Sequence, residues 1–527
     1  MKTVAQTIAR TLAAAGVRYV FGHPGGEVAH FIEALRQENI PFILTRHEAT
    51  AAFLAASWGE LSGTPGVCLS TLGPGATNLL SGVAQAFLDR SPVIAITAQL
   101  ATDREIRTPH QRLDLNKLFA PVTKASIRVA PETATQAVEH ALYLATTERP
   151  GPVHLEVSSN VANQPATGES RGVRFGNIGK PSTPSVVEAA TLVGKAKRPA
   201  ILVGIGAIRC GATAALVRLA ETLGAPVVTT PKAKGVFPED HPLASGVVDM
   251  TGEAVINELL SEADLLITAG FDVVELIKPW GFQAPVVHVD TVSNTDQLYA
   301  AAVEVVGDIA SALDAIAATS RRAEWPAGRI AEERQQLRSV LQPKVDGLTP
   351  HAVMEAVRAA LPRNGVAASD VGAHKILMGQ VWTAYEPRTY SVSNGLSSMG
   401  TGLPAVIAAR LLWPERPAVV ILGDGGLGMY LGELETAVRL GIDLPIVVLV
   451  DGSLSLIKLG QIGRGYEPSG VDFLMPKFAD IARGFGATGV RVETIDQTRE
   501  AIGAALRRKG VTLIEAIING RAYSGGE

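Results

Sequence analysis

An α/β fold of three doubly wound domains, each a mostly parallel sheet with helices on both faces, is what this sequence predicts. Three observations predict it. Short apolar runs rich in Val and Ile alternate with helical stretches from end to end. Runs of this kind, unbroken by polar alternation, are buried on both faces, as in a parallel sheet. The composition is 47% hydrophobic but only 5% aromatic, with 53 glycines, which suits aliphatic cores joined by many tight strand–helix turns. At 527 residues the chain is too long for one core, and about three domains is the expectation from length.

Met1 to Gly16 reads as an amphipathic helix. Val17–Phe21 is the first strand, followed by the turn Gly22-His23-Pro24-Gly25-Gly26. Further strands are expected at Pro41–Thr45, Gly66–Thr71 and Pro92–Thr97, with a second turn at Gly73-Pro74-Gly75. These form a first domain over residues 1–165. The polar, Pro- and Gly-rich stretch Pro165–Pro184 reads as a linker. A second α/β domain, 184–318, carries strands at Ala200–Gly204, Pro226–Thr230, Leu265–Thr268 and Val286–Asp290. The charged stretch Ser320–Lys344 connects, partly as helix. Thr349-Pro350 then opens a third domain, 349–527, with an N-cap residue and a proline in the first helical position. Its strands include Pro417–Leu422 and Ile446–Val450, with a helix expected from Leu427 to Leu440.

Several function classes are excluded. The net charge is −4 and no long basic block occurs, so nucleic-acid binding has no electrostatic support. Cys68 and Cys210 are the only cysteines, which excludes a disulfide framework and a cysteine-based metal site. No apolar run reaches the roughly 18–20 residues that span a bilayer. No cleavable signal pattern is evident at the start. A soluble cytoplasmic protein, with no membrane or nucleic-acid partner, is expected.

The chemistry concentrates in two places. Gly423-Asp424-Gly425-Gly426 follows a β-branched run and precedes a helix. A strand entering a glycine turn and then a helix turns backbone N–H groups toward a phosphate. A carboxylate in that position would repel phosphate unless a cation lies between, so a divalent metal bridging carboxylate and diphosphate is the economical reading. Asp451, 27 positions later, ends the next strand, and in a parallel sheet both carboxylates reach the same edge. Gly-Asp-Gly alone is often only a turn; the pair in this topology is more specific. Far away in sequence, Arg46-His47-Glu48-Ala49 places a lone carboxylate at the mouth of an apolar helix. Helix-dipole stabilisation is the simpler reading of Glu48 on its own.

Together these residues resemble the thiamine diphosphate enzymes of the acetolactate synthase and pyruvate decarboxylase superfamily. The resemblance extends over essentially the whole chain. Within the superfamily, Glu433-Leu434-Glu435-Thr436-Ala437-Val438-Arg439-Leu440 is most similar to FAD-independent, catabolic acetolactate synthases, and Val450-Asp451 replaces the commoner Asn-Asn in the same way. The resemblance implies Mg²⁺ held by Asp424, Asp451 and the main-chain oxygen of Ser453. It makes Glu48 the group that shares a proton with N1′ of the aminopyrimidine, which activates thiamine C2. It places Pro24, Gly25 and Gly26 around the pyrimidine. Gly73 then opens a loop in which Leu72 replaces the family's Ser. Ser397 offers its carbonyl to the 4′-amino group, and Met399 is a wedge that bends the cofactor. His374, with Gly425 and Gly426, meets the diphosphate.

Two further positions bear on the substrate. Gln111, after His110, stands where decarboxylases carry a second His. An amide delivers no proton at neutral pH, which favours carboligation over plain decarboxylation; a loop Gln satisfying backbone groups is the other reading. Glu27 stands where catabolic synthases carry Lys. It acts as a proton donor, selects a cationic substrate, or points into solvent. In the central domain, Asp249-Met250-Thr251-Gly252 and Phe271-Asp272-Val273-Val274 lack the His and Arg of FAD-containing relatives, so FAD is not expected. Gly204-Ile205-Gly206-Ala207 is too weak a glycine motif to read as NAD binding. The expected activity is decarboxylation of a small-molecule 2-oxo acid with transfer to a second oxo compound, with acetolactate from two pyruvates as the first choice. Rivals are a decarboxylase or aldehyde lyase for a larger 2-oxo acid or 2-hydroxyketone, and a non-catalytic cofactor-binding paralogue. The resemblance also implies a homodimer or homotetramer with active sites between subunits.

Overall fold

The computed structural model describes residues 2–524, and they contain three six-stranded sheets in which every strand pairing is parallel. The described chain divides into two compact units. The first comprises residues 1–177, 395–414 and 429–442; the second comprises 178–394, 415–428 and 443–527.

The first unit holds β1 (Val20–His23), β2 (Phe42–Leu44), β3 (Gly66–Ser70), β4 (Val93–Gln99), β5 (Ala125–Arg128) and β6 (Pro152–Ser158), in the spatial order β2-β1-β3-β4-β6-β5. The strand order reverses between β1 and β3. In such sheets the crevice outside the C-terminal ends of the strands at the reversal is where ligands bind. His23 pairs with Ser70 in register, so the turn Pro24–Glu27 and the loop starting at Thr71 leave the sheet side by side. The first strand begins at Val20 rather than Val17. Val17 N still donates to Leu12 O at 3.1 Å, so the residues up to Val17 belong to the end of the helix Val4–Ala14.

The second unit holds two sheets. One comprises β7 (Pro199–Val203), β8 (Val227–Thr229), β9 (Ala244–Val247), β10 (Leu265–Ala269), β11 (Val286–Asp290) and β12 (Ala301–Val306), ordered β12-β11-β10-β7-β8-β9. The other comprises β13 (Val366–Ser369), β14 (Tyr390–Val392), β15 (Ala418–Gly423), β16 (Leu444–Val450), β17 (Thr488–Val492) and β18 (Val511–Ile517), ordered β14-β13-β15-β16-β18-β17. Both reverse in the same manner, between β7 and β10 and between β13 and β15. The central strands β7, β10, β15 and β16 are buried almost throughout, as their unbroken aliphatic runs require. Thr349 caps the helix Pro350–Ala360 by accepting from Ala352 N. Between Gln164 and Ser182 no helix or strand forms, and part of 320–344 is the helix Arg329–Leu341.

The single helix expected over 427–440 is instead two short ones, Asp424–Met429 and Glu433–Arg439. Gly425, Gly426 and Gly428 weaken the first, because glycine loses the most backbone freedom in a helix.

Helix Glu48–Ser62 lies in the core of the first unit and is buried on all sides. Its alanines let neighbours approach closely. A methyl group on Gly82 of helix Pro74–Leu88 would lie 2.4 Å from Ala52 Cβ and 2.8 Å from Ala49 O. Gly82→Ala is therefore expected to destabilise the protein by about 1–3 kcal/mol through overpacking, read as a lower midpoint in urea or thermal unfolding. An unchanged midpoint would show that the two helices separate freely.

Candidate active site

The residues singled out in the sequence fall into two groups, one in each unit. In the first unit they gather at the β1/β3 reversal. Glu48 is the first residue of its helix and is 9% exposed. His47 caps that helix, its Nδ1 accepting from Ala49 N at 3.0 Å. The Glu48 carboxylate accepts from Asn78 Nδ2 at 3.0 Å through Oε2. Its Oε1 lies beside Gly75, where an added Cβ would come within 3.3 Å. The carboxylate is thus held from one side by the Asn78 amide, and the residues that follow it in the helix, Ala49, Ala51, Ala52 and Phe53, are all buried.

Thr71, which sequence reasoning passed over, is the hub of this group. Its hydroxyl donates to Glu27 Oε2 at 2.6 Å. A Cβ on Gly25 would lie 2.5 Å from Thr71 Oγ1, and one on Gly75 would lie 2.8 Å from Thr71 Cγ2. Gln111 is exposed, in the left-handed region at φ 57°, and it meets Gly73: a Cβ there would be 3.0 Å from Gln111 Cβ. Glu27, Gly25, Glu48, Gly73 and Gln111 are therefore linked through Thr71, Gly75 and Asn78. Pro24 is exposed on the same turn. Ser397 is exposed with φ 53°, and Met399 is half-buried two residues on. A non-glycine residue held in this region is uncommon and accumulates at functional sites.

In the second unit the group stands at the β13/β15 reversal. Gly423 pairs with Leu449, so Asp424 and Asp451 follow adjacent strand ends. Asp424 Oδ2 accepts from Gly452 N at 2.7 Å and Asp451 N at 3.1 Å, and its Oδ1 accepts from Gly425 N at 2.8 Å. Asp451 accepts from Ser453 N at 3.3 Å and from the Ser455 hydroxyl. Burial pushes the Asp424 carboxyl up to about 6; the Gly452 N–H opposes this and the Asp451 charge adds to it. Burial also raises Asp451, against the Ser455 hydrogen bond. His374 is 4% exposed and packs on Gly423, where a Cβ would lie 3.1 Å from its Cε1. Burial lowers its pKa to about 4, so the ring is neutral at pH 7. Its Nε2 is buried and meets no hydrogen-bond partner among the described residues.

This donor set suits a diphosphate held through a hard cation. The charge of half-buried Asp451 raises the pKa of buried Asp424, while Lys458 only lowers that of Asp451; a cation between the two carboxylates would favour both charged forms. Among the described residues no group of three or more His, Cys, Asp and Glu could enclose a metal. Mg²⁺ needs no such cage, because it is bound by one or two carboxylates together with phosphate oxygens and water. The free Nε2 of His374 is a hydrogen-bonding atom awaiting a polar ligand.

The third reversal, between β7 and β10, is filled by the protein itself. Glu275 is 2% exposed, and its carboxylate accepts from Ile205 N at 3.1 Å through both oxygens, from Asp272 N at 3.1 Å and from the Thr230 hydroxyl. A side-chain anion thus occupies the position after the Gly204 turn where a dinucleotide would put its phosphate. A cavity of about 170 Å³ elsewhere in this region is lined by Asp249, Met250, Trp280 and Phe282, and by none of the candidate residues.

Comparison with known proteins gives the family. The family descriptions "Thiamine pyrophosphate enzyme, N-terminal TPP binding domain", "central domain" and "C-terminal TPP binding domain" match residues 2–118, 186–316 and 370–516. A probable acetolactate synthase large subunit of Methanocaldococcus jannaschii is 33% identical, over 98% of this chain and 92% of its own. The acetolactate synthase of Bacillus subtilis is 30% identical, over 98% and 93%. A probable 2-ketoarginine decarboxylase of Pseudomonas aeruginosa is 30% identical, over 97% and 93%. With identities of 30–33% over nearly the whole of each chain, the chain belongs to the thiamine pyrophosphate enzymes, among their acetolactate synthase-like members.

Proposed function

We propose that the protein is a thiamine diphosphate- and Mg²⁺-dependent enzyme that decarboxylates a 2-oxo acid and joins the remainder to a second oxo compound, forming acetolactate when both are pyruvate. The observation that carries this reading is the pairing of buried Asp424 with half-buried Asp451 at adjacent strand ends, beside the unpartnered Nε2 of His374. Asp424, Asp451 and the main-chain oxygen of Ser453 would hold the metal. His374 would meet a diphosphate oxygen through Nε2, as a donor in the form that carries a proton on that nitrogen, and Gly425 and Gly426 keep side chains out of its way.

When bound, the cofactor supplies an electron sink for loss of CO₂. The protein's contribution is to place charge and protons. Glu48 would hold a proton against the ring nitrogen N1′, and Asn78 fixes which oxygen faces it. Pro24, Gly25 and Gly73 would border the pyrimidine, Ser397 would receive the 4′-amino proton on its carbonyl, and Met399 would press the cofactor into its bent form. Gln111 carries no titratable proton, which favours carboligation. Glu275 filling the central crevice supports a protein without FAD. The enzyme works in the cytoplasm as a homodimer or homotetramer, with Glu48 of one subunit serving the metal group of another. No helix among the described residues is long and apolar enough to cross a membrane.

Glu27 favours a second reading, a decarboxylase for a larger 2-oxo acid with a cationic end. Its half-buried carboxylate has only the Thr71 hydroxyl as hydrogen-bond donor among the contacts of this turn, and one relative is named for 2-ketoarginine.

Three outcomes test this. Incubation with thiamine diphosphate, Mg²⁺ and a panel of 2-oxo acids should release CO₂ and give acetolactate from pyruvate; turnover confined to a cationic 2-oxo acid would replace the first reading by the second. Glu48→Gln should cut turnover by about 10²- to 10⁴-fold while cofactor and metal stay bound, and near-normal rates would remove Glu48 from the chemistry. Asp424→Ala should lose the cofactor on gel filtration, measured as thiamine fluorescence in the protein peak; full retention would rule out the metal bridge.

A further inference from the structure

The sequence segment most similar to the catabolic synthases, Glu433–Leu440, takes no part in the cofactor groups described above. Glu433 is 1% exposed, and it lies in the first unit with the helix that carries Glu48. Its Oε1 accepts from the backbone N–H groups of Arg46 and His47, both at 3.0 Å. Its Oε2 accepts from the Thr436 hydroxyl at 2.7 Å. These two N–H groups immediately precede Glu48. A neighbouring contact continues the same support. The Tyr430 ring stands edge-on to His47, at 5.7 Å between centroids and 86°, and edge-on to Phe53 at 5.9 Å. On its other side the loop is tied to β1, with Thr45 N donating to Gly22 O at 2.9 Å and the Thr45 hydroxyl to His47 O at 3.0 Å.

We propose that Glu433 is a positioning residue, whose carboxylate clamps the Arg46-His47 backbone and so aims the Glu48 carboxylate. The clamp is one carboxyl oxygen meeting two adjacent main-chain donors. It acts where it matters most, because a rotation of the peptide between His47 and Glu48 carries the whole Glu48 side chain with it. Asn78 alone grips one oxygen of Glu48 and sets the end of the side chain; Glu433 sets its root. This inference rests on the reading of Glu48 given under Proposed function.

The test uses the full-length protein loaded with thiamine diphosphate and Mg²⁺, and two readouts that need no substrate. One is hydrogen–deuterium exchange of the backbone over residues 45–50; the other is deuterium exchange at C2 of the bound cofactor. Glu433→Ala should speed backbone exchange in that segment and slow C2 exchange by roughly 10- to 100-fold, the scale of a misplaced catalytic group, with cofactor still bound. Glu433→Gln keeps a carbonyl oxygen for both N–H groups and should restore most of both signals. Thr436→Val removes only the hydroxyl behind Oε2 and should give a smaller slowing, so the inference remains testable if the alanine variant does not fold. Unchanged C2 exchange in Glu433→Ala, or in Thr436→Val where the alanine variant is lost, overturns the positioning role; so does a glutamine variant as slow as alanine. Glu48→Gln in the same assay separates the two readings. Normal C2 exchange in that variant strikes the role of Glu48 itself, whereas slow exchange there with normal exchange in Glu433→Ala strikes only Glu433.

Discussion

Buried carboxylates at the points where parallel strand order reverses are the constraint around which this molecule is organised. At each reversal, backbone N–H groups at the C-terminal ends of two strands have no partner in the ladder, and a buried donor must find an acceptor. Two of the sheets meet the demand with a side-chain acid, while the acids at the first face other side chains. In the central sheet Glu275 is a permanent plug: burial lifts it to about 7, and the Thr230 hydroxyl and two main-chain donors hold it. In the last sheet Asp424 absorbs three N–H groups yet leaves the negative charge of Asp451 beside it. In the first sheet Glu27 leans on Thr71, and Glu48 rises from the next loop.

The difference between plug and site lies in what remains unsatisfied. Glu275 has a donor for each oxygen. The Asp424/Asp451 pair sets two carboxylates side by side, and His374 Nε2 has no partner among the described residues; both cost free energy that a cation and an anion arriving together would offset. A metal diphosphate is such a combination. The same topology, repeated within one chain, is thus closed at one reversal and receptive at another by the choice of a few side chains.

Most of the strand framework was legible because unbroken Val/Ile runs between glycine turns leave little choice of structure, and β11 coincides with its expected limits, Val286–Asp290. Edge strands such as β5 and β17 were not seen, since Ala125–Arg128 and Thr488–Val492 are half-exposed and mix polar with apolar residues. The break at Tyr430–Gly432 was hidden for a related reason: periodicity continues across it, while the glycines before it undo the helix. Spacing pointed to Asp424 with Asp451 because adjacent parallel strands convert a sequence interval into a contact. Nothing comparable pointed to Thr71 or to Glu433. Glu433 reaches residues 387 and 386 positions away, and a glutamate on an apparently amphipathic helix gives no sign that it is fully buried.

The residues proposed for cofactor and for substrate differ in how firmly they are held, and that difference bears on specificity. Glu48, Asp424 and His374 are buried and sit on strand ends or helix starts fixed by several hydrogen bonds or close glycine contacts. A change at any of them propagates into the core. Gln111 is exposed, and Glu27 is tied by the Thr71 hydroxyl. Helix Ser455–Ile462, which follows the Asp451 strand end, contains no buried residue, and its Ile457 is 55% exposed. Positions of this second kind can change at little cost to folding, because surface substitutions rarely disturb stability. Loops carried on a rigid scaffold are where recognition is adjusted. A family member can therefore keep its cofactor apparatus intact while its 2-oxo acid changes. The proposed choice between pyruvate and a cationic 2-oxo acid therefore rests on Glu27 and its surroundings, where a carboxylate stands in place of the lysine that the resemblance to catabolic synthases implies.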